Sequence, residues 1–412
     1  MKILYVSQYF PPEMGAPSAR VSELSRVWAA AGHDVTVLTG FPNHPTGTVP
    51  EAYRRKLWRL TMTERSEQVR VVRTWLWPLP NRKIRERLLN YSSFCVSAIV
   101  RGLTLDEPDC VIGTSPQLLA GVAACVIARA RRVPFIFEVR DLWPESLSAV
   151  GVSGRQSLLF RLVGIVAHAL YRAADHIVVV SPAFADRLEG DWHVPHDKIS
   201  IVVNGVRTDL FNPQVDGTAL RAKFRLEGKF VVSFIGTIGN AHGVSVLIET
   251  ARRMFPAHPD VLFLVVGEGA EKNALQTLVK DSGLSNLVIL DAQPHARIPE
   301  FIRASDVCLV LLRKAEVFKT VIPTKMLEFM ACGRPVLLGV EGVAKSIVES
   351  AGAGLCVPPE DPGALADAVM TLFHDESLRT RLGENGHRFI AIHMSRTQTA
   401  TDYIETLAKV IG

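Results

Sequence analysis

No run of apolar residues in this sequence approaches the roughly 20 needed to span a bilayer, the longest being broken by Arg101, Arg129 or Arg161. Aromatics are sparse at 7%, and the six cysteines (Cys95, Cys110, Cys125, Cys308, Cys332 and Cys356) form no CxxC pair and no Cys/His spacing of a zinc site. Cysteines so scattered read as small core residues in a reducing compartment. The opening Met1-Lys-Ile-Leu-Tyr-Val-Ser turns polar at Ser7-Gln8, too early for a signal peptide. Neither sign of charge dominates: a formal charge of +5 and a pI near 8.9 are mild for 412 residues. With no finger, homeodomain or RNP-type signature, nucleic acid is not an expected partner. There is also no Walker A lysine-serine pair and no three-glycine dinucleotide fingerprint.

What is present points to two α/β domains. At 412 residues the chain is long for one core, and 48% hydrophobic residues with mean hydropathy +0.19 suit strands covered by helices on both faces. Strand-like runs at 2–6, 35–38, 110–113, 135–139 and 175–180 alternate with helical stretches at about 19–31, 118–130 and 155–173, which is the grammar of a doubly wound sheet. After a polar connector beginning at Phe211-Asn-Pro213 the grammar restarts, with strands at 230–235, 261–266, 287–290, 307–312 and 336–338, and a helical tail from about Pro362. The expected domains are 1–205, joined by a crossing helix at about 390–412, and 206–389. Ligands of such sheets bind beyond the carboxyl ends of the strands, so those ends are expected to line an interdomain cleft. In the first domain the loops there carry Gly15, Arg20, Ser115 and Arg140-Asp-Leu-Trp-Pro-Glu145. Asp141 and Glu145 are candidate acid/base or hydroxyl-binding groups, or else helix caps.

Residues 40–102 are atypical. Arginines and lysines, among them Arg54, Arg55, Lys56, Arg59, Arg70, Arg73, Arg82 and Arg85, are interleaved with Trp58, Leu60, Trp75, Trp77, Leu88 and Leu89. That composition predicts an anionic membrane surface as a partner, over about 52–102. Solvated charge over a core helix is the alternative.

The most organised stretch is Pro323-Thr-Lys-Met-Leu-Glu-Phe-Met-Ala-Cys-Gly-Arg-Pro-Val336, which reads as a helix with Pro323 in its first turn and Gly333 as its stop. The helix start, with the N–H groups of Thr324 and Lys325 and the full charge of Lys325, favours an anion. Glu328, one turn on, faces the same space and suits a sugar hydroxyl. Glycine-rich turns at Gly236-Thr-Ile-Gly239 to Gly243 and at Gly267-Glu-Gly269 also follow strands and precede helices. Together with Lys319, Lys272 and His242 nearby, they predict a diphosphate pocket with few carboxylates. No Asp-x-Asp pair stands there, so no metal and no other cofactor is expected.

In this order, Phe10-Pro-Pro-Glu-Met-Gly-Ala-Pro-Ser-Ala-Arg20, Val203-Asn-Gly-Val206 to Phe211, Val266-Gly-Glu-Gly269 and the stretch from Lys325 to Val336 resemble the GT-B glycosyltransferases. The likeness is to the retaining, glycogen-synthase-like family 4 and covers nearly the whole chain. Arg140-Asp-Leu-Trp-Pro144 and Phe318-Lys-Thr-Val-Ile-Pro-Thr-Lys325 resemble most the O-antigen and capsule transferases that use UDP-N-acetyl-6-deoxyhexoses such as N-acetylfucosamine. The resemblance implies two Rossmann-like domains facing across a cleft. It implies a nucleotide on the second domain: base near Gln293, Pro294 and Arg297, diphosphate near Gly239, His242, Thr324 and Lys325, ribose on Glu328. Gly15 would approach the phosphate, and the acceptor would lie over the first domain, beside Arg20, Ser115, Arg140, Asp141, Trp143 and Glu145.

Two positions depart from the family. Thr320 stands where the Glu-x7-Glu pair that ends at Glu328 would begin, and Arg140 stands where a histidine is usual. The catalytic candidates are therefore Asp141, Glu328 and His242. The expected activity is retaining transfer of an N-acetylated or 6-deoxy sugar from a UDP-sugar to a polyprenyl-diphosphate-linked saccharide. Its expected place is the cytoplasmic face of the membrane. The alternatives are a UDP-sugar 2-epimerase on the same architecture and a non-catalytic nucleotide-sugar-binding subunit.

Overall fold

A computed structural model describes residues 1–13, 15–44, 46–80, 83–144, 157–255 and 257–412. The chain divides into two compact units, one of Met1–Asn204 with Thr399–Gly412 and one of Gly205–Gln398. The return to the first unit begins at Thr399, later than the expected residue 390 or so. The cause is local: Val206 N donates to Met394 O (2.9 Å) and Arg396 N to Val206 O (2.7 Å), which ties this part of the tail to the second unit.

In the first unit eight strands form one sheet: β1 (Lys2–Val6), β2 (Asp34–Gly40), β3 (Thr61–Ser66), β4 (Val69–Thr74), β5 (Cys110–Thr114), β6 (Phe135–Val139), β7 (His176–Val179) and β8 (Ile199–Ile201). Their order is β3-β4-β2-β1-β5-β6-β7-β8. All neighbours are parallel except β3, which pairs antiparallel with β4. The inner strands are continuous apolar runs because both faces are covered. On one face helices Ile84–Gly102, Leu118–Arg131 and Leu158–Ala173 bury Phe94, Ala124, Ile127 and Leu170. On the other, helix Ala16–Ala30 and the returning helix Arg396–Ile411 bury Trp28, Tyr403 and Leu407. Trp28 Nε1 donates to Ala400 O at 2.9 Å, and its ring meets that of Tyr403 edge-on at 5.2 Å.

The hairpin of β3 and β4 lies inside the basic stretch and breaks it up. Thr-Met-Thr-Glu-Arg-Ser is polar because β3 is the exposed edge, where charge discourages further pairing.

The second unit holds β9 (Phe230–Ile235), β10 (Val261–Val266), β11 (Leu287–Leu290), β12 (Val307–Leu311), β13 (Val336–Gly339) and β14 (Gly354–Cys356), all parallel, in the order β11-β10-β9-β12-β13-β14. The three-residue β14 is too short to announce itself in sequence. Both sheets are doubly wound, with the strand order reversing between β1 and β5 in one and between β9 and β12 in the other. Such reversals open a crevice beyond the strand ends, the usual ligand position.

Candidate functional site

In the second unit the crevice between β9 and β12 is flanked by the turn after Ile235 and by helix Thr324–Ala331. Pro323 is the N-cap of that helix rather than part of its first turn. Lys325 Nζ is buried without a hydrogen-bond partner, 3.9 Å from the centroid of the Phe234 ring. A Cβ added at Gly236 would stand in ordinary contact with that Nζ, at 3.5 Å, and it is the backbone, at φ 145°, that favours glycine there. Burial lowers the Lys325 ammonium to about 7, against an opposing pull from Glu328. The full charge expected of Lys325 is thus corrected: near neutral pH it waits on an anion.

His242 closes the same corner. Its N–H donates to Gly239 O at 2.9 Å, its ring stands edge-on to Phe234 at 6.0 Å, and its Nδ1 is buried without a partner. Burial first, and Lys325 second, push the imidazole down to about 4. His242 is therefore a neutral hydrogen-bonding group there, not one of the cations of a diphosphate pocket.

The two glycine turns interlock. Ile238 N donates to Glu268 O at 2.8 Å, and Glu271 N donates to Ile238 O at 3.0 Å. A Cβ on Gly267 would lie 1.9 Å from Gly236 O, and one on Gly269, at φ 157°, 2.2 Å from Ile238 O. The bare faces of Gly267 and Gly269 are thus spent on the neighbouring turn.

Other predicted groups sit in pairs of their own. Lys272 is clamped by Glu268 and Asp291, and Lys319 by Glu316 (2.6 Å) and Glu341 (3.6 Å), so neither is a spare cation, and carboxylates are not scarce. Thr320 Oγ1 donates to Val317 O at 3.1 Å. Thr324 is exposed at the helix start. Glu328 Oε1 meets His295 Nε2 at 3.3 Å, and the His295 ring packs edge-on against Phe211. Just before it, Pro294 caps a short turn, Gln293 Nε2 donates to Asp291 O, and Arg297 pairs with Glu300 at 3.0 Å. Among the described residues, no three His, Cys, Asp or Glu side chains are grouped to hold a metal ion.

The first unit places its candidates differently. Arg20, expected on the acceptor side, is buried: Nε pairs with Glu138 at 2.8 Å, and the other two nitrogens reach Val202 O, Val203 O and Asn204 Oδ1. Tyr5 and Thr114 donate to the second oxygen of Glu138 at 2.6 and 2.7 Å. Burial pushes the Glu138 carboxyl up, but Arg20, Arg140 and these bonds outweigh it and hold it below the usual carboxylate range. Arg20 is a positioning residue for the sheet ends. Ser115 is likewise internal, its Oγ accepting from Arg140 N (2.7 Å) and Asp141 N (3.1 Å).

Asp141, half-buried, is raised to about 6 by burial, with Arg140 opposing. Trp143 Nε1 is buried without a partner. Gly15, at φ 132°, is the N-cap of helix Ala16–Ala30. Glu145 lies outside the described residues, as does Arg82.

Within the basic stretch, Arg73 is buried on Glu64 at 2.6 Å and leaves the expected cationic face, because β4 is an inner strand. Trp58 (83% exposed), Leu60, Trp77, Leu88 and Leu89 do face outward. No helix among the described residues is long and apolar enough to cross a membrane.

Sequence reading missed three participants. Phe234 looked like any apolar strand residue, yet its ring carries the Lys325 ammonium. His295 stands next to Pro294, already singled out, and that neighbourhood was the available signal. Glu138 is a carboxylate inside the apolar run Phe-Ile-Phe-Glu-Val, which signals a buried charge needing a partner.

Residues 216–389 match the model for glycosyl transferases group 1, and residues 15–205 match that for the glycosyl transferase 4-like domain. WcaI of Escherichia coli K12, a glycosyl transferase named for colanic acid biosynthesis, is 24% identical over 90% of this chain and 91% of its own. A D-inositol 3-phosphate glycosyltransferase of Acidothermus cellulolyticus is 28% identical over 90% and 80%. Among solved structures, Thermosynechococcus elongatus sucrose-phosphate synthase superposes with a TM-score of 0.74 at 20% identity, over 99% of this chain and 98% of that one. Anabaena HepE, in complex with UDP, gives 0.73 at 18%, over 99% and 100%. The chain is a GT-B glycosyltransferase, built of a 4-like domain followed by a group 1 domain.

Proposed function

We propose that the protein moves a sugar, of the N-acetylated or 6-deoxy hexosamine class, from a UDP-sugar to a polyprenyl-diphosphate-linked saccharide during surface polysaccharide assembly. Anomeric configuration is retained and no metal takes part. The observation that carries this reading is the buried Lys325 ammonium, without a hydrogen-bond partner and beside bare backbone at a helix start. Such a group is costly unless an anion completes it, and a departing diphosphate is the anion a sugar transfer releases. Glu328, one turn into the same helix, suits ribose hydroxyls. The UDP bound to HepE and the colanic acid role named for WcaI support the donor class and the pathway class.

Asp141 and the loop around it take the acceptor on the first unit. With Thr320 and Arg140 where the resemblance would put a carboxylate and an imidazole, the acceptor proton passes to a phosphate oxygen of the leaving group. The exposed Trp58, Leu60, Trp77, Leu88 and Leu89, among arginines, support docking on the inner face of the cytoplasmic membrane.

Calorimetric titration with UDP tests the site. Glu328→Ala is expected to weaken UDP by about tenfold or more, the loss of charge-assisted hydrogen bonds. Unchanged affinity would remove the ribose assignment. A UDP-sugar incubated without acceptor should stay unaltered, and appearance of its 2-epimer would replace transfer by epimerisation.

A further inference from the structure

Beyond the amino ends of β12 and β13, at the opposite end of the strands from Lys325, lies a cavity of about 680 Å³. That is within the roughly 300–1,000 Å³ typical of small-molecule pockets. Four guanidinium groups line it, those of Arg303, Arg334, Arg379 and Arg388. Among the described residues none of the four is ion-paired with a carboxylate.

Three of them are held in place by carbonyl groups instead. Arg303 donates to Val215 O (3.3 Å) and Cys332 O (3.2 Å), Arg334 Nη2 to Arg303 O (2.5 Å), and Arg379 Nη1 to Leu372 O (2.5 Å). Arg334 Nε is buried with no partner at all. The carboxylate of Asp306, also in the wall, is already taken by Arg221 (3.2 Å) and Val231 N (2.8 Å). Glu376 and Glu384 are exposed.

An arginine cannot shed its proton, so an anion placed among these groups would offset their mutual repulsion. Several forks around one space suit a dianion with three oxygens better than a single carboxylate. The cavity is larger than a bare phosphate needs, and Pro213 and Ile392 offer it an apolar wall.

We propose that this cavity is a second ligand site, for a small organic phosphate monoester held by Arg334 and Arg388 and separate from the diphosphate site at Lys325. Titration calorimetry of the full chain with a hexose 6-phosphate, the free hexose and a hexuronate tests it. Saturable binding of the phosphate ester alone is expected. Either Arg388→Glu or Arg334→Gln should weaken it by about tenfold or more. Lys325→Ala should leave it unchanged. Arg388 is exposed, so its variant keeps the test open should Arg334→Gln fail to fold. The proposal is overturned by equal binding of the hexuronate, by no saturable heat, by binding that survives both arginine changes, or by binding that Lys325→Ala abolishes.

Discussion

Lys325 and Glu138 are both buried charges, but they are solved in opposite ways. Glu138 has its cation built in, and its four partners make the first unit's strand ends depend on it. Glu138→Ala would strand Arg20 without a counter-charge, and denaturant unfolding should show a loss of roughly 3–5 kcal/mol. Lys325 has no such partner, and its ammonium sits at about 7. A bound diphosphate favours the charged form and raises that value, so affinity is full below the free-state value and falls as pH climbs above it. UDP binding is therefore expected to weaken by up to about tenfold per pH unit above neutrality, with proton uptake visible in buffers of different ionisation enthalpy. In Lys325→Met the slope should vanish; a slope that persists would place the titrating group elsewhere.

At the scale of elements, the two glycine turns work as one piece. Gly269 meets two constraints at once, a left-handed φ and a carbonyl where a Cβ would stand, so Gly269→Ala must push apart the turns after β9 and β10. Both a lower melting temperature and weaker UDP binding are expected. Gly190, inside helix Pro182–Trp192 with nothing within 4 Å of an added Cβ, is the contrasting case. Gly190→Ala should stabilise by roughly 0.5–1 kcal/mol through helix propensity alone. If the two substitutions behaved alike, the turn packing would carry no weight.

For the whole molecule, the question is what surface the chain offers to a bilayer. Co-sedimentation with anionic liposomes should capture the full protein, with binding reduced by salt and by the paired change Trp58→Ala and Trp77→Ala. Capture by neutral vesicles alone would contradict the electrostatic part. Much of this was readable beforehand, because local patterns decide it. The apolar runs of β1, β5, β9 and β12 announce strands covered on both faces, and Gly333 ends its helix at φ 68° as a stop residue must. Their repetition after Phe211 announces two sheets. What the sequence could not decide was which charges are spent. Arg20, Arg73, Lys272 and Lys319 look like available cations in a linear reading, and only the strand order brings Glu138, Glu64, Asp291 and Glu341 against them. The depressed ammonium of Lys325 likewise belongs to tertiary structure. Desolvation is a property of the surroundings, and Phe234, ninety-one positions earlier in the chain, supplies them.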